Sequence, residues 1–152
     1  MQTPTILFVG DAGTGKTTYV FELLGCPMPK EYVPTLGMEA SPIIYDDSRY
    51  TIMDFAGNPK FGYRDNDESM AGADGVVIFT HNGEGYEDWV RRILARNPNV
   101  PFVVVDSEQT AEKIHLGDGR IVYEKNAGFN ILCDTINHVP LDERYPKRTR
   151  AH

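Results

Sequence analysis

The sequence predicts an α/β domain with a mostly parallel central sheet and helices on both of its faces. Three observations lead there. Short apolar runs of strand length alternate with helix-length stretches, as in a sheet buried on both sides. The segment Gly10-Asp11-Ala12-Gly13-Thr14-Gly15-Lys16-Thr17 fits G-x-x-x-x-G-K-[ST] and lies between the first such run and the first helix. The 152 residues, 41% hydrophobic and 24% charged, suit one domain with a full-sized core.

Taken in order, Ile6-Leu7-Phe8-Val9 reads as a buried strand that feeds the glycine-rich segment. Tyr19, Val20, Phe21, Leu23 and Leu24 mark the helix leaving it, and Gly25 suits its C-terminal cap. Cys26 to Gly37 holds three prolines and no apolar period, which predicts an exposed loop. Strands around Ala40–Tyr45 and Arg49–Phe55, joined by Asp46-Asp47-Ser48, read as a hairpin. Asp54 ends the second strand, and Ala56-Gly57-Asn58-Pro59 breaks it. Lys60–Asp74 suggests a short irregular helix, and Gly75–Thr80 a buried strand. Tyr86, Trp89, Val90, Ile93 and Leu94 fall on one face of a helix that Pro98 ends. Pro101–Val105 is the next strand. Asp118–Ala127 reads as a helix with Ile121 and Val122 inward and Gly128 as its stop, and Phe129–Cys133 as the last strand. No repeat, low-complexity stretch or dividing linker interrupts this series.

The chemistry gathers at the glycine-rich segment. Glycines let backbone N–H groups close around phosphate oxygens, and the helix N-terminus adds positive potential. Asp11, Ala12, Gly13, Thr14, Gly15, Lys16, Thr17 and Thr18 are therefore the predicted phosphate site. Lys16 reaches the β- and γ-phosphates, and the Thr17 hydroxyl binds Mg²⁺. A second acidic group should hold that ion from a neighbouring strand end, and Asp54 is so placed. The Thr35 hydroxyl can complete the metal shell, the Gly57 N–H can meet the γ-phosphate, and Tyr32 can close over the phosphates.

Composition excludes other classes. A formal net charge of −7 argues against general nucleic-acid binding. Cys26 and Cys133 make neither a disulfide framework nor a metal site and read as reduced thiols. The apolar runs are too short for a bilayer, and no leader or prenylation cysteine is expected, so no membrane partner is predicted. Arg144, Lys147, Arg148 and Arg150 read as a solvated basic terminus.

The order of phosphate loop, Tyr32-Val33-Pro34-Thr35-Leu36-Gly37 and Asp54-Phe55-Ala56-Gly57 resembles the small Ras-superfamily GTPases. Within them it is most similar to the Ran-type nuclear-transport branch, through Lys60-Phe61-Gly62, Arg64-Asp65, Trp89-Val90-Arg91 and Asn99-Val100-Pro101. The likeness is specific to about Val105 and continues more faintly beyond. It implies a P-loop NTPase (small G-protein) domain over residues 1–138 and a short basic tail over 139–152. It implies GTP and GDP as ligands, with Mg²⁺ on Thr17, Thr35 and Asp54. It also implies a switch acting on importin-type receptors or an exchange factor in nucleus and cytoplasm.

Three departures bear on that expectation. Where the family places a water-orienting glutamine stands Asn58, one methylene shorter and followed by Pro59, and Ala12 adds a methyl where an arginine finger would enter. Asn58 and Thr35 form the expected catalytic pair, and hydrolysis is expected to be slow. Where the family reads guanine with Asn-Lys-x-Asp stand Ser107, Glu108, Gln109 and Thr110, and Thr135-Ile136-Asn137 falls where Ser-Ala-Lys is expected. Loss of two charge-assisted hydrogen bonds to the base would weaken GTP by roughly 10²–10⁴-fold, which leaves the base open. Third, Pro140 and Pro146 interrupt the chain where the family carries its last long helix, so that helix is expected to be truncated. A switch with a low-rate GTPase activity is the first reading. A non-hydrolysing pseudo-GTPase that competes for the same partners is the alternative. A P-loop kinase would need a basic lid, whereas Arg91, Arg92 and Arg96 fall on one helix.

Overall fold

A computed structural model describes residues 3–11, 13–25, 38–55, 70–116 and 120–138. The expected α/β arrangement, a mostly parallel sheet with helices on both faces, is present. Seven strands form one sheet in the order β2-β3-β1-β4-β5-β7-β6. They are β1 (Thr5–Gly10), β2 (Met38–Tyr45), β3 (Ser48–Phe55), β4 (Gly75–Thr80), β5 (Phe102–Asp106), β6 (Lys113–His115) and β7 (Ile121–Glu124). The strands β3, β1, β4, β5 and β7 run parallel, and the antiparallel β2 and β6 form the two edges.

Strand alternation sorts the apolar side chains into two cores. Ile6 and Phe8 of β1 face one side, with Ile52, Val77, Phe79 and Val105 of its neighbours. Helices α1 (Lys16–Leu24) and α3 (Lys125–His138) cover that side through Tyr19, Val20, Phe129, Leu132, Cys133 and Ile136. Leu7 and Val9 face the other side, where α2 (Glu87–Arg96) covers them with Trp89, Val90 and Ile93. A side chain's face is thus set by its parity along the strand.

The β2–β3 hairpin closes with Asp46 and Asp47 at φ 50° and 64°, flanked by the pair Tyr45↔Ser48. Two successive residues in that region match the right-handed twist of the strands, and Asp tolerates it better than most side chains. Helix α1 ends as expected at Gly25, whose φ of 74° lets its N–H return to the Glu22 and Phe21 carbonyls. Helix α2 ends at Asn97, whose side-chain amide donates to the Met70 and Ala73 carbonyls at 3.0 Å each. Of the irregular helix read over Lys60–Asp74, residues 70–72 are helical, and the part before residue 70 lies outside the described residues.

The C-terminal third corrects the sequence reading. The segment read as a helix, Asp118–Ala127, holds strand β7, whose Val122 pairs with Val104. The segment read as the last strand, Phe129–Cys133, lies inside α3. The expected truncation of the last helix is therefore also corrected, because α3 runs for 14 residues against the sheet. Two signals account for this. Phe129, Leu132, Cys133 and Ile136 recur at i, i+3, i+4 and i+7, a helical stripe. Gly128 is no stop: a Cβ there would lie 2.5 Å from Val105 Cγ1 and 3.1 Å from Tyr123 Cβ, so the missing side chain lets the helix lie close on the sheet. Strand β6, which the sequence reading lacks, pairs antiparallel with β7 and leaves all three of its residues exposed.

Candidate functional site

Strand β1 lies inside the sheet, third in its order, between β3 and β4. The chain leaves it toward β3 on one side and later returns to β4 on the other. Ligands of open α/β sheets bind outside the C-terminal ends of the strands at such a reversal. The loop 10–17 occupies that point, between Gly10 at the end of β1 and Lys16 at the start of α1.

Its shape depends on backbone approaches that a side chain would block. A Cβ on Gly10, at φ 145°, would fall 2.4 Å from the Phe79 carbonyl oxygen of β4. One on Gly15, at φ 92°, would fall 2.7 Å from Ser107 Oγ at the end of β5. The ends of β4 and β5 therefore press on the loop, and glycine makes that possible.

Lys16 is only 6% exposed, and its Nζ donates to the carbonyls of Gly10 at 2.8 Å and Asp11 at 3.0 Å. Burial lowers its pKa, with Asp54 and Asp11 pulling the other way. The ammonium is held over the loop by backbone oxygens, positioned to meet an anion. Thr14 Oγ1 braces the same turn by donating to the Asp11 carbonyl at 2.7 Å. Thr18 lies exposed in the first turn of α1.

Asp54 is 2% exposed near the end of β3, and its Oδ2 accepts the Thr17 hydroxyl. Its Oδ1 is buried as well. The Asp54 carboxylate and Thr17 hydroxyl in contact beside this loop are hard oxygen donors of the kind Mg²⁺ takes, since that ion completes its shell with phosphates and water. No group of three or more His, Cys, Asp or Glu that could hold a metal occurs among the described residues. A phosphate-bound Mg²⁺ needs only one or two carboxylates, so this donor set fits it.

The remaining expected residues divide. Ala12, Tyr32, Thr35, Gly57 and Asn58 lie outside the described residues. Ser107 does reach the site, but as a brace: its hydroxyl donates to the Thr14 carbonyl at 3.0 Å. Glu108 is exposed and lies 3.8 Å from His81 Nδ1. Thr135, Ile136 and Asn137 are a correction. Thr135 bonds back to Ile131 within α3, Asn137 donates to Tyr50 Oη at 2.8 Å, and Ile136 packs on Gly75 at the start of β4. That is the far end of the sheet, roughly 15 Å from the loop by strand rise. The sequence reading sets them at the site because it takes Phe129–Cys133 as the last strand, one element too late.

The last parallel strand ends at Glu124 on the loop's end of the sheet, and Lys125 and Asn126 follow it. Asp106 and Glu124 are register partners there. The Glu124 carboxylate accepts the Asn126 and Ala127 N–H groups and so caps α3. Lys125 Nζ lies 2.7 Å from Glu22 Oε1 and 5.5 Å from the Tyr19 ring centroid. Asn126 Oδ1 accepts the Tyr19 hydroxyl at 2.9 Å. Burial, followed by Tyr45, Glu124 and Glu22, raises the Tyr19 pKa well above its ordinary value. The sequence reading missed this junction, although it follows directly once β7 is placed.

Trp89 is a second brace the sequence left unassigned. Its Nε1 donates to Asp11 Oδ1 at 3.2 Å, tying α2 to the loop. Its helical spacing marked it only as core. Two pockets open nearby. One, about 220 Å³, lies between Asp11, Gly13 and Thr14 of the loop and Phe79–His81. The other, about 490 Å³, lies beyond Asp106 among Asn82, Gln109, Ile114 and Val122. The larger stands apart from Lys16 and Thr17. No helix among the described residues is long and apolar enough to cross a membrane. No protein-family model matches the chain.

Proposed function

We propose that this chain binds a guanine nucleotide with Mg²⁺ at the 10–17 loop and acts as a Ran-like molecular switch of the small Ras-superfamily type, with slow GTP hydrolysis. One observation carries the reading: a buried Lys16 ammonium lies on the loop's own carbonyls beside a Thr17–Asp54 contact. A bound triphosphate would meet that ammonium, and Thr17 and Asp54 would hold the Mg²⁺ that neutralises it. The metal would supply charge stabilisation at the β- and γ-oxygens. Thr35 and Gly57 would sense the γ-phosphate, with Tyr32 over it. Asn58 would orient water less well than a glutamine, and Ala12 would crowd an entering arginine. Importin-type receptors or an exchange factor are the proposed partners, in nucleus and cytoplasm.

The base would lie between the turn after β5, with Ser107 to Thr110, and the junction Glu124–Asn126. Neither offers the lysine and aspartate pair that reads guanine in the family. Selectivity among GTP, ATP and ITP is therefore expected to be shallow in competition titrations, and a preference for GTP over ATP of many thousandfold would refute it. Asn58 in place of the water-orienting glutamine also suits the second reading, a non-hydrolysing module that competes for the same partners. Denaturing the purified protein and identifying any released nucleotide by chromatography tests binding. Multiple-turnover phosphate release then separates enzyme from module. Single-turnover hydrolysis should be faster in Asn58→Gln, and faster again with Ala12→Gly added; equal rates in all three would clear Asn58 and Ala12 of blame.

A further inference from the structure

Asp11 is an acid inside a loop suited to an anion, and its two ends do different work. Its carbonyl faces inward and accepts Lys16 Nζ and Thr14 Oγ1. Its carboxylate faces α2, where Oδ1 accepts the Trp89 indole N–H at 3.2 Å. The backbone at Gly85, at φ 80°, flanks the other oxygen, since a Cβ there would lie 3.5 Å from Oδ2. Trp89 is itself fixed. It is 7% exposed, sits in the second core with Tyr86 and Ile93, and carries the Arg92 guanidinium 5.4 Å above its ring. A buried indole N–H needs an acceptor, and a loop carboxylate bonded to it loses its freedom to turn.

We infer that Trp89 is a positioning residue that holds the Asp11 carboxylate toward α2 and away from the seat of the phosphates. The inference rests on the nucleotide reading above. Without the indole, the carboxylate is free to swing toward the bound anion and repel it. Removing the carboxylate should then make the indole irrelevant to binding. A tryptophan that merely packs would give the same loss in both backgrounds.

Trp89 is the chain's only tryptophan, so one indole N–H resonance reports its hydrogen bond with no nucleotide present. The test uses the full chain labelled with ¹⁵N, with Mg·GTP as the probe. In Asp11→Ala the indole resonance is expected to move and to exchange faster with water; an unmoved resonance would overturn the inference. Trp89→Phe is expected to weaken Mg·GTP about tenfold in the natural background and less than twofold in the Asp11→Ala background, as a double-mutant cycle reads coupling. Equal weakening in both backgrounds would also overturn it. A wild-type chain that binds no Mg·GTP while its indole resonance still responds to Asp11→Ala would sink the nucleotide reading and the positioning role with it, leaving the hydrogen bond intact.

Discussion

The loop after β1 and the helix after β7 start from the same end of the sheet, yet they are held by different physics. Around the loop, backbone meets backbone or a short polar side chain: Gly10 against the Phe79 carbonyl, Gly15 against Ser107, Lys16 on two carbonyls. Around α3, side chains interlock. Phe129 stands edge-on to Phe8, Tyr19 and Tyr45, with ring centroids 6.0, 5.9 and 4.9 Å away. A structure held by hydrogen-bond geometry and close backbone approach tolerates few substitutions. One held by packing is specified by what lies across the sheet and tolerates changes that keep volume.

The sharpest way to break the first region is Lys16→Ala. Nucleotide affinity, measured by equilibrium dialysis with Mg·GTP, should fall by about 100-fold or more, because two or more charge-assisted hydrogen bonds vanish. The urea midpoint should hold or rise, since a buried ammonium whose pKa burial has lowered no longer has to be desolvated. Unchanged affinity would end the nucleotide reading.

The second region is probed best at Gly128. Were it a helix stop or a merely flexible point, Gly128→Ala would stabilise the protein by about 1 kcal/mol through helix propensity. The close approach to Val105 predicts the opposite sign, a net loss of about 1–2 kcal/mol as overpacking exceeds that gain. Equilibrium urea unfolding decides between them, and a stabilised variant would mean that α3 is not packed against β5 as described.

Alkaline pH should separate the regions by sign. Burial pushes the Cys133 thiol up to about 12, and it raises the Tyr45 and Tyr50 hydroxyls too. A raised folded pKa means the folded state keeps its proton longer. The stability from Cys133 is thus complete below its unfolded pKa of about 8.5 and is lost as pH climbs toward 12. Lys16, with a lowered pKa, shifts stability the other way in the window below 10.5. Cys133→Ala should flatten the decline in urea midpoint between pH 8.5 and 10.5; an unchanged slope would assign it to the tyrosines.

Ser107→Ala gives the smallest expected effect. It removes one neutral hydrogen bond to the Thr14 carbonyl, so about 1 kcal/mol of stability and less than tenfold in Mg·GTP affinity should go. A loss as large as that of Lys16→Ala would show that Ser107 touches the nucleotide directly.

The same contrast explains what could be read in advance. Lys16, Thr17 and Asp54 were legible because their spacing follows from local loop geometry and from a strand end that a turn signal marks. The hairpin was legible for the same reason, through Asp46 and Asp47. Placing Thr135–Asn137 at the site failed because Ile121-Val122-Tyr123 is too short a run to tell strand from helix by period, and pairing with β5 decided it. Gly128 misled because one residue type serves both as a terminator and as a close-packing surface. The Phe129–Ile136 stripe would have resolved the matter. The Trp89 bond to Asp11 left no local trace, since its partners lie 78 positions apart.

The position of β1 in the sheet also bears on synthesis. Of the described strands of this sheet it is the first to be synthesised, yet Thr5 awaits Thr51 and Ile6 awaits Gly75 before either of its edges is paired. Meanwhile β2 and β3 can close on each other across their two-residue turn on the microsecond scale of hairpins. The apolar strand Ile6–Val9 therefore emerges long before the chain that shelters it. At roughly 5–20 residues per second, that interval lasts several seconds. During it the strand has no partner on either edge, and the nascent loop has no β4 carbonyl or Ser107 hydroxyl to shape it.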